Sequence, residues 1–175
     1  MKKSAKLVAA ALVSVALFIG GNVKAQTTPP SPWRLGIGLE AGAPTGDAHN
    51  ISNFELGGTA RLQYDASSSF AWTLTSGYYN MFGKNNPVTN VDYNSLGIIP
   101  VKLGIKAFFT PGLYFGAEAG AGFETGTGGN TKLILSPGLG YASKSVDVGL
   151  RYENFSGQGN NYGLVGLRIA YGFAL

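Results

Sequence analysis

Apolar and polar residues alternate along much of this chain. In residues 113–124, LYFGAEAGAGFE, the odd positions hold Leu, Phe and Ala, while the even positions are mostly Gly and Glu. A period of two indicates a β-strand with two different faces, and no stretch after residue 25 has a convincing helical period. One face of this strand is lipid-like, and the other is small, polar and carries two carboxylates.

The same alternation predicts eight strands. Their predicted ranges are Trp33–Ala43, Phe54–Asp65, Phe70–Asn80, Ser95–Phe109, Leu113–Glu124, Lys132–Tyr141, Ser145–Phe155 and Tyr162–Leu175. Most are longer than the usual globular strand of about five or six residues. They are long enough for a tilted membrane-spanning strand, which needs about nine to eleven residues.

The connections between these strands alternate in length. Those after the odd strands are long or intermediate: Pro44–Asn53, Met81–Asn94, Thr125–Thr131 and Ser156–Asn161. Those after the even strands are tight, and one contains Pro111-Gly112, a composition that favours a type II turn. Short turns at one rim and longer loops at the other are typical of an outer-membrane barrel.

The fourth strand departs from regular alternation. Leu96 and Ile98 are out of phase with Ile99 and Val101, which continue the apolar register of the strand. Because a β-bulge shifts the phase of a strand by one residue, we expect a bulge near Ile98–Pro100.

The polar register collects equal numbers of basic and acidic residues. The basic ones are Arg34, Arg61, Lys102, Lys106, Lys132, Arg151 and Arg168. The acidic ones are Glu40, Glu55, Asp65, Glu118, Glu124, Asp147 and Glu153. Charges held away from bulk water must be paired to be tolerated. We therefore expect a paired charge network that fills the lumen, since eight strands leave space for side chains rather than a wide channel.

The apolar register is graded along its length. One rim is predicted to carry Trp33, Tyr64, Phe70, Trp72, Phe109, Phe115, Tyr141, Tyr171 and Phe173. The opposite rim is predicted to carry Phe54, Tyr78, Phe123, Tyr152 and Tyr162. Mainly aliphatic residues lie between them. Two aromatic girdles around an aliphatic band match the two water–lipid interfaces of a membrane.

The chain resembles the small eight-stranded outer-membrane β-barrels of Gram-negative bacteria, the OmpA/OmpX-like group. The resemblance rests on WRLGIGLEAGAPTGD (33–47), SLGIIPVKLGIKAFFTPGLYFGAEAG (95–120) and YGLVGLRIAYGFAL (162–175). It implies an all-β, eight-stranded antiparallel up-and-down transmembrane β-barrel. It also implies folding by the barrel-assembly machinery. Tyr171 and Phe173 fit the alternation of the family's assembly signal, although the last residue is Leu175 rather than an aromatic.

The N-terminal residues have the pattern of a secretory signal peptide. Lys2, Lys3 and Lys6 precede an apolar run, and Val23-Lys24-Ala25 is a small-residue cleavage pattern. We therefore expect a signal peptide at 1–25, a short periplasmic leader at 26–32 and the barrel at 33–175.

Removal of that segment changes the charge. The 13 basic residues less the four lysines of the signal leave nine, which equals the nine acidic residues. A mature chain without net charge gives no support for nucleic-acid binding. The chain has no Cys, which excludes disulfides and thiolate metal sites.

Candidate chemistry is sparse. His49, the only histidine, lies near Asp47 and Ser52, as a lipid-modifying enzyme with a His-activated Ser would require. A solvated turn explains these residues as well, and with Asn50 they lack the ligand number of a defensible metal site. We therefore expect no enzymatic activity, no cofactor and no metal.

The sequence predicts an integral outer-membrane protein, a monomer, with a structural or surface-interaction role. Its expected partners are outer-membrane lipid, the barrel-assembly machinery during biogenesis, and an unidentified extracellular ligand at the loops. Three alternatives remain open: a small porin-like channel for water, ions or small solutes, a lipid-modifying enzyme, and a soluble lipocalin-like barrel with its charges outside.

Overall fold

The protein folds into eight antiparallel strands. The structure, a computed structural model, describes residues 31–46, 48–85, 94–126, 128–158 and 161–175. The predicted signal peptide and most of the predicted leader lie outside these residues. The strands are β1 (Trp33–Gly46), β2 (Ser52–Ser67), β3 (Phe70–Gly83), β4 (Leu96–Phe108), β5 (Leu113–Thr125), β6 (Thr131–Ala142), β7 (Val146–Gly157) and β8 (Tyr162–Ala174).

The strands close into one barrel in the order of the sequence. Each strand pairs with its neighbour in the chain, and β8 returns to pair with β1, for example Arg34 with Ala174 and Gly46 with Tyr162. Closure satisfies the backbone groups of every strand, as a protein within lipid requires. The predicted fold class, an eight-stranded antiparallel up-and-down transmembrane β-barrel, is confirmed.

The two rims of the barrel differ. We call the turn rim the end formed by residues 68–69, 109–112 and 143–145, together with the start of β1 and the end of β8. The loop rim is the opposite end, where β1, β3, β5 and β7 end and β2, β4, β6 and β8 begin. At the turn rim Gly112 has a φ of +87°, as a type II turn requires at its third position.

The first predicted loop is shorter than expected. β1 continues to Gly46, β2 begins at Ser52, and a single helical turn, α1 (Ala48–Ile51), lies between them. The reason is that β1 stays paired with β8 as far as Gly46 opposite Tyr162. Pro44 does not end the strand, although proline is usually poorly tolerated within sheets.

The predicted bulge near Ile98–Pro100 is wrong. β4 pairs with β5 in one unbroken register, from Gly97 opposite Thr125 to Phe108 opposite Tyr114. Ile98 is fully buried and Ile99 is exposed, so the alternation never slips. The apolar pattern suggests a slip here only because Ile98, although apolar, faces the lumen.

The outer surface of the barrel is apolar. Ile37, Leu103 and Phe115 are each more than half exposed, which is unusual for such large apolar side chains. A continuous apolar belt of this kind suits a lipid environment. Among the residues that the structure describes, no helix is both long and apolar enough to cross a membrane.

Candidate functional site: the barrel lumen

A buried cluster of four charged side chains occupies the middle of the lumen. The Lys102 ammonium contacts the Glu153 carboxylate and lies 3.2 Å from Glu118 Oε2. Arg61 Nη2 donates to Glu118 Oε1 at 2.8 Å. These side chains come from β2, β4, β5 and β7. The Lys102–Glu118 pair joins the neighbouring strands β4 and β5, whereas the Lys102–Glu153 and Arg61–Glu118 pairs cross the lumen between strands that are not neighbours in the barrel.

A second group of ion pairs is centred on Glu40. Its carboxylate contacts Arg151 Nη1 and lies 3.2 Å from Arg168 Nε. Arg151 Nε also lies 3.0 Å from Glu153 Oε1, which joins this group to the central cluster. The Thr59 hydroxyl donates to Glu40 Oε1 at 2.6 Å. Each charge thus has an opposite charge and further polar contacts, as buried ions require.

Towards the turn rim, three cations lie around a single carboxylate. Asp147 contacts Lys106 and lies 3.7 Å from nitrogens of both Arg61 and Arg168. The Tyr114 hydroxyl donates to Asp147 Oδ1 at 2.6 Å.

A separate ion pair lies at the turn rim itself. Arg34 Nε lies 3.2 Å from Asp65 Oδ2, and both side chains are about one-third exposed. This partial exposure distinguishes the pair from the buried pairs of the lumen.

The lumen near the loop rim is apolar. One buried cluster, which we call the apolar layer, is made by Ala48, Tyr79, Met81, Ile98, Ile134, Phe155, Tyr162 and Leu164. The rings of Phe155 and Tyr162 stack with centroids 4.9 Å apart. A Cβ on Gly122 would lie 2.9 Å from Ile134 Cδ1, so this glycine leaves the space that the layer fills. The lumen thus has a packed apolar layer towards the loop rim and most of its ion pairs towards the turn rim.

Three predicted network residues lie in or beside the apolar layer. Glu55 is fully buried, and neither of its carboxylate oxygens has a hydrogen-bond partner among the described residues. Glu124 accepts hydrogen bonds from the Tyr162 hydroxyl at 2.9 Å and the backbone N–H of Asn130 at 3.1 Å. Lys132 donates to the backbone carbonyl of Gln158. The ion pairs therefore concentrate in the other part of the lumen.

The girdle prediction needs one correction. Tyr162 was placed on the lipid face, but its side chain is buried inside the barrel, where it stacks on Phe155 and bonds Glu124. It starts a strand whose first inward positions belong to the apolar layer. The other thirteen predicted girdle residues have exposed or half-buried side chains. Trp33 and Tyr64 pair at the turn rim, with centroids 4.8 Å apart.

The loop histidine lies apart from the charged lumen. His49 is exposed in α1, and its backbone carbonyl accepts a hydrogen bond from Lys84. The Ser52 hydroxyl donates to the carbonyl of Phe82 at 2.7 Å. Within the described ranges, no three His, Cys, Asp or Glu side chains form a group that could hold a metal ion.

Sequence reasoning missed several inward residues that complete the network. Tyr79 lies 3.1 Å from both Lys102 Nζ and Arg151 Nη2, and Thr75 donates to Glu118 at 2.8 Å. The parity of β3 could have identified them, because Thr75 and Tyr79 share one face of that strand. A pattern of charged residues does not identify them, because Thr75 is uncharged and Tyr79 is aromatic.

The closed barrel, its apolar belt and its charged interior define a transmembrane β-barrel. No family model and no curated protein matches the chain. Solved structures do match. The attachment invasion locus protein Ail of Yersinia pestis has a TM-score of 0.61 at 14% identity, over 82% of this chain and 99% of that chain.

Other barrels of the same architecture match as well. Neisserial surface protein A has a TM-score of 0.55 at 14% identity, over 85% of this chain and all of that one. The N-terminal barrel domain of OprF from Pseudomonas aeruginosa has a TM-score of 0.50 at 15% identity, over 83% and 100% of the two chains. The chain therefore has the fold of the small outer-membrane β-barrels, as predicted from its OmpA/OmpX-like pattern.

Proposed function

We propose that the protein is an integral outer-membrane β-barrel of a Gram-negative bacterium with a structural or surface-interaction role, and that its lumen does not conduct. The observation that carries this proposal is the apolar layer. Tyr79, Ile98, Ile134, Phe155 and Leu164 have no exposed surface, although all of them point into the lumen. Water and ions would have to cross a packed layer of mainly apolar side chains to pass from rim to rim.

The ion-pair network supports the same conclusion from the other half of the lumen. A conducting path needs groups that bind a solute weakly and release it. Here Lys102 and Glu153 are fully buried against each other, and Glu118 and Arg151 are bound on either side of them. These side chains are bound to one another in ion pairs and connect opposite walls of the barrel.

A surface role is consistent with the longest connection. The segment between β3 and β4, residues 84–95, joins two strands at the loop rim and is rich in Asn. Loops on a rigid scaffold are common recognition surfaces. Two structural neighbours are named for attachment and for the cell surface.

Single-channel conductance in a planar bilayer tests the proposal. The full chain would be expressed in a Gram-negative host, and the barrel purified from outer membranes. We expect a folded barrel without conductance steps. The double variant Phe155→Ala with Ile134→Ala, which removes two side chains of the apolar layer, is the positive control and should conduct. Reproducible steps in the wild-type barrel that change with Lys102→Met would establish the pore alternative instead.

A further inference from the structure

The part of the lumen next to the turn rim contains a cavity that is unusually rich in positive charge. It is lined by Arg34, Arg61, Lys106 and Arg168, and Asp147 is the only carboxylate among the described residues that line it. Ser143 of the turn rim also lines it, so the cavity extends to that end of the barrel. A second cavity of similar size shares Arg61, Lys106 and Arg168.

The charge imbalance follows from how the ion pairs are distributed. Six cations and five carboxylates take part in the ion pairs of the described residues. Two further inward carboxylates, Glu55 beside Gly42 and Gly57 and Glu124 beside Tyr162, lie in or near the apolar layer and take part in none of these pairs. Glu55 and Arg61 are six residues apart on β2, roughly 20 Å along a strand. Glu55 therefore does not reach the cavity at the turn rim.

One hydrogen-bond donor in the cavity wall has no acceptor. Arg168 is almost fully buried, and its Nη2 atom has no hydrogen-bond partner among the described residues. A Cβ added to Gly36 would lie 3.6 Å from this nitrogen, so the glycine leaves open space in front of it. A buried donor without an acceptor costs about 1–3 kcal/mol, and more when the donor is charged. This geometry favours an occupant that accepts hydrogen bonds.

From these observations we infer that the cavity binds one small inorganic anion of about the size of chloride, held between Arg168, Arg61 and Lys106. The space open to the centres of water-sized molecules is about 30 Å³. One water needs about 10–15 Å³ by the same measure, so the cavity has room for a small ion but not for an organic solute. This site does not depend on whether the barrel conducts.

The first experiment measures anion-specific stabilisation. The full chain would be expressed in a Gram-negative host, and the barrel purified from outer membranes in detergent. Urea unfolding would be compared in sodium chloride and sodium gluconate at constant ionic strength, because general screening depends on ionic strength alone. We expect chloride to shift the unfolding equilibrium towards the folded state, by roughly tenfold at about ten times its Kd.

A matched pair of glycine variants locates the effect. Gly36→Ala places a methyl group in front of Arg168 without a close backbone contact, and it should abolish most of the chloride response. Gly58→Ala makes the same change on the same barrel, but the nearest atom to its Cβ is a carbonyl oxygen 3.9 Å away. Gly58 is exposed, so this variant should respond to chloride as the wild type does.

Bromide gives a direct readout that needs no variant. Crystals of the wild-type barrel soaked in sodium bromide should show an anomalous peak within hydrogen-bonding reach of Arg168 Nη2. The inference is overturned if chloride and gluconate give the same stability, if Gly36→Ala responds like the wild type, or if no bromide peak appears in the cavity.

Discussion

Removal of the Arg151 charge should destabilise the barrel strongly. Arg151 Nη1 contacts Glu40, its Nε lies 3.0 Å from Glu153 and its Nη2 donates to the Tyr79 hydroxyl at 3.1 Å. In Arg151→Met the side-chain volume is largely kept, so the loss is mainly electrostatic rather than that of a cavity. Both carboxylates would remain buried with one fewer cation.

The size of this effect can be estimated from the ion pairs that remain after the substitution. Breaking a buried ion pair by removing one partner typically costs about 3–5 kcal/mol. Here Glu40 keeps Arg168 at 3.2 Å and Glu153 keeps Lys102, so each carboxylate retains a cation. We therefore expect a loss of about 3 kcal/mol, at the lower end of that range.

Arg34→Met is the matched control. This arginine also pairs with a carboxylate at 3.2 Å, but the pair is about one-third exposed at the turn rim. Exposed ion pairs are worth about 1 kcal/mol or less. The double variant Arg151→Met with Glu153→Met should be more stable than either single variant, because it removes one charge of each sign.

The assay is reversible urea unfolding in lipid vesicles, followed by tryptophan fluorescence. The two tryptophans, Trp33 and Trp72, have exposed side chains on the outer face near the turn rim, so their emission reports departure from lipid. Equal losses for Arg151→Met and Arg34→Met would refute the reasoning, as would a double variant less stable than both singles.

Three further changes test other parts of the lumen. Glu55→Met removes two buried oxygens without partners and should stabilise the barrel by about 1–3 kcal/mol. Glu153→Met, in contrast, should destabilise it, and both effects are measured by the same urea unfolding. A loss of stability in both variants would contradict the conclusion that the Glu55 oxygens lack partners. Gly120→Ala should prevent folding, because its Cβ would overlap the backbone of β4. Gly58→Ala should fold normally, as heat-modifiable migration on gels would show. A folded Gly120→Ala barrel would contradict the close approach of Gly120 to the backbone of β4. Phe155→Ala should cost about 3–5 kcal/mol in urea unfolding if the apolar layer is packed, and a loss below about 1 kcal/mol would show that it is not.

The fold could be predicted from sequence because its determinant is local. Period-two alternation specifies a strand and its two faces, and long strands with short turns after even strands specify a barrel. The predicted strand ranges agree with the structure within two residues, except where β1 and β3 extend by three residues towards the loop rim. Those extensions contain Pro44 and Gly83, residue types that ordinarily indicate a loop.

The lumen could be predicted only in part. The sequence identified which charges share the polar register, and the structure brings basic residues of this register into ion pairs, namely Arg34, Arg61, Lys102, Lys106, Arg151 and Arg168. It could not identify the apolar layer, because Ile98 and Leu164 look like lipid-facing residues in isolation. Which face they occupy depends on the register of the whole strand. The choice of partners, such as Glu40 with both Arg151 and Arg168, depends on depth within the lumen, which a single strand does not specify.

The seam between β1 and β8 joins the two ends of the barrel sequence. Every other pair of strands is a hairpin of neighbours, but this pair forms only after the whole chain is in place. Glu40 on β1 contacts Arg168 on β8 and Arg151 on β7, so the last contacts to form are also ion pairs. Before closure these three charges would face an open, half-formed interior that lipid cannot solvate. We therefore expect the ion pairs of Glu40 to favour a closed β1–β8 seam over a barrel that stops one strand short.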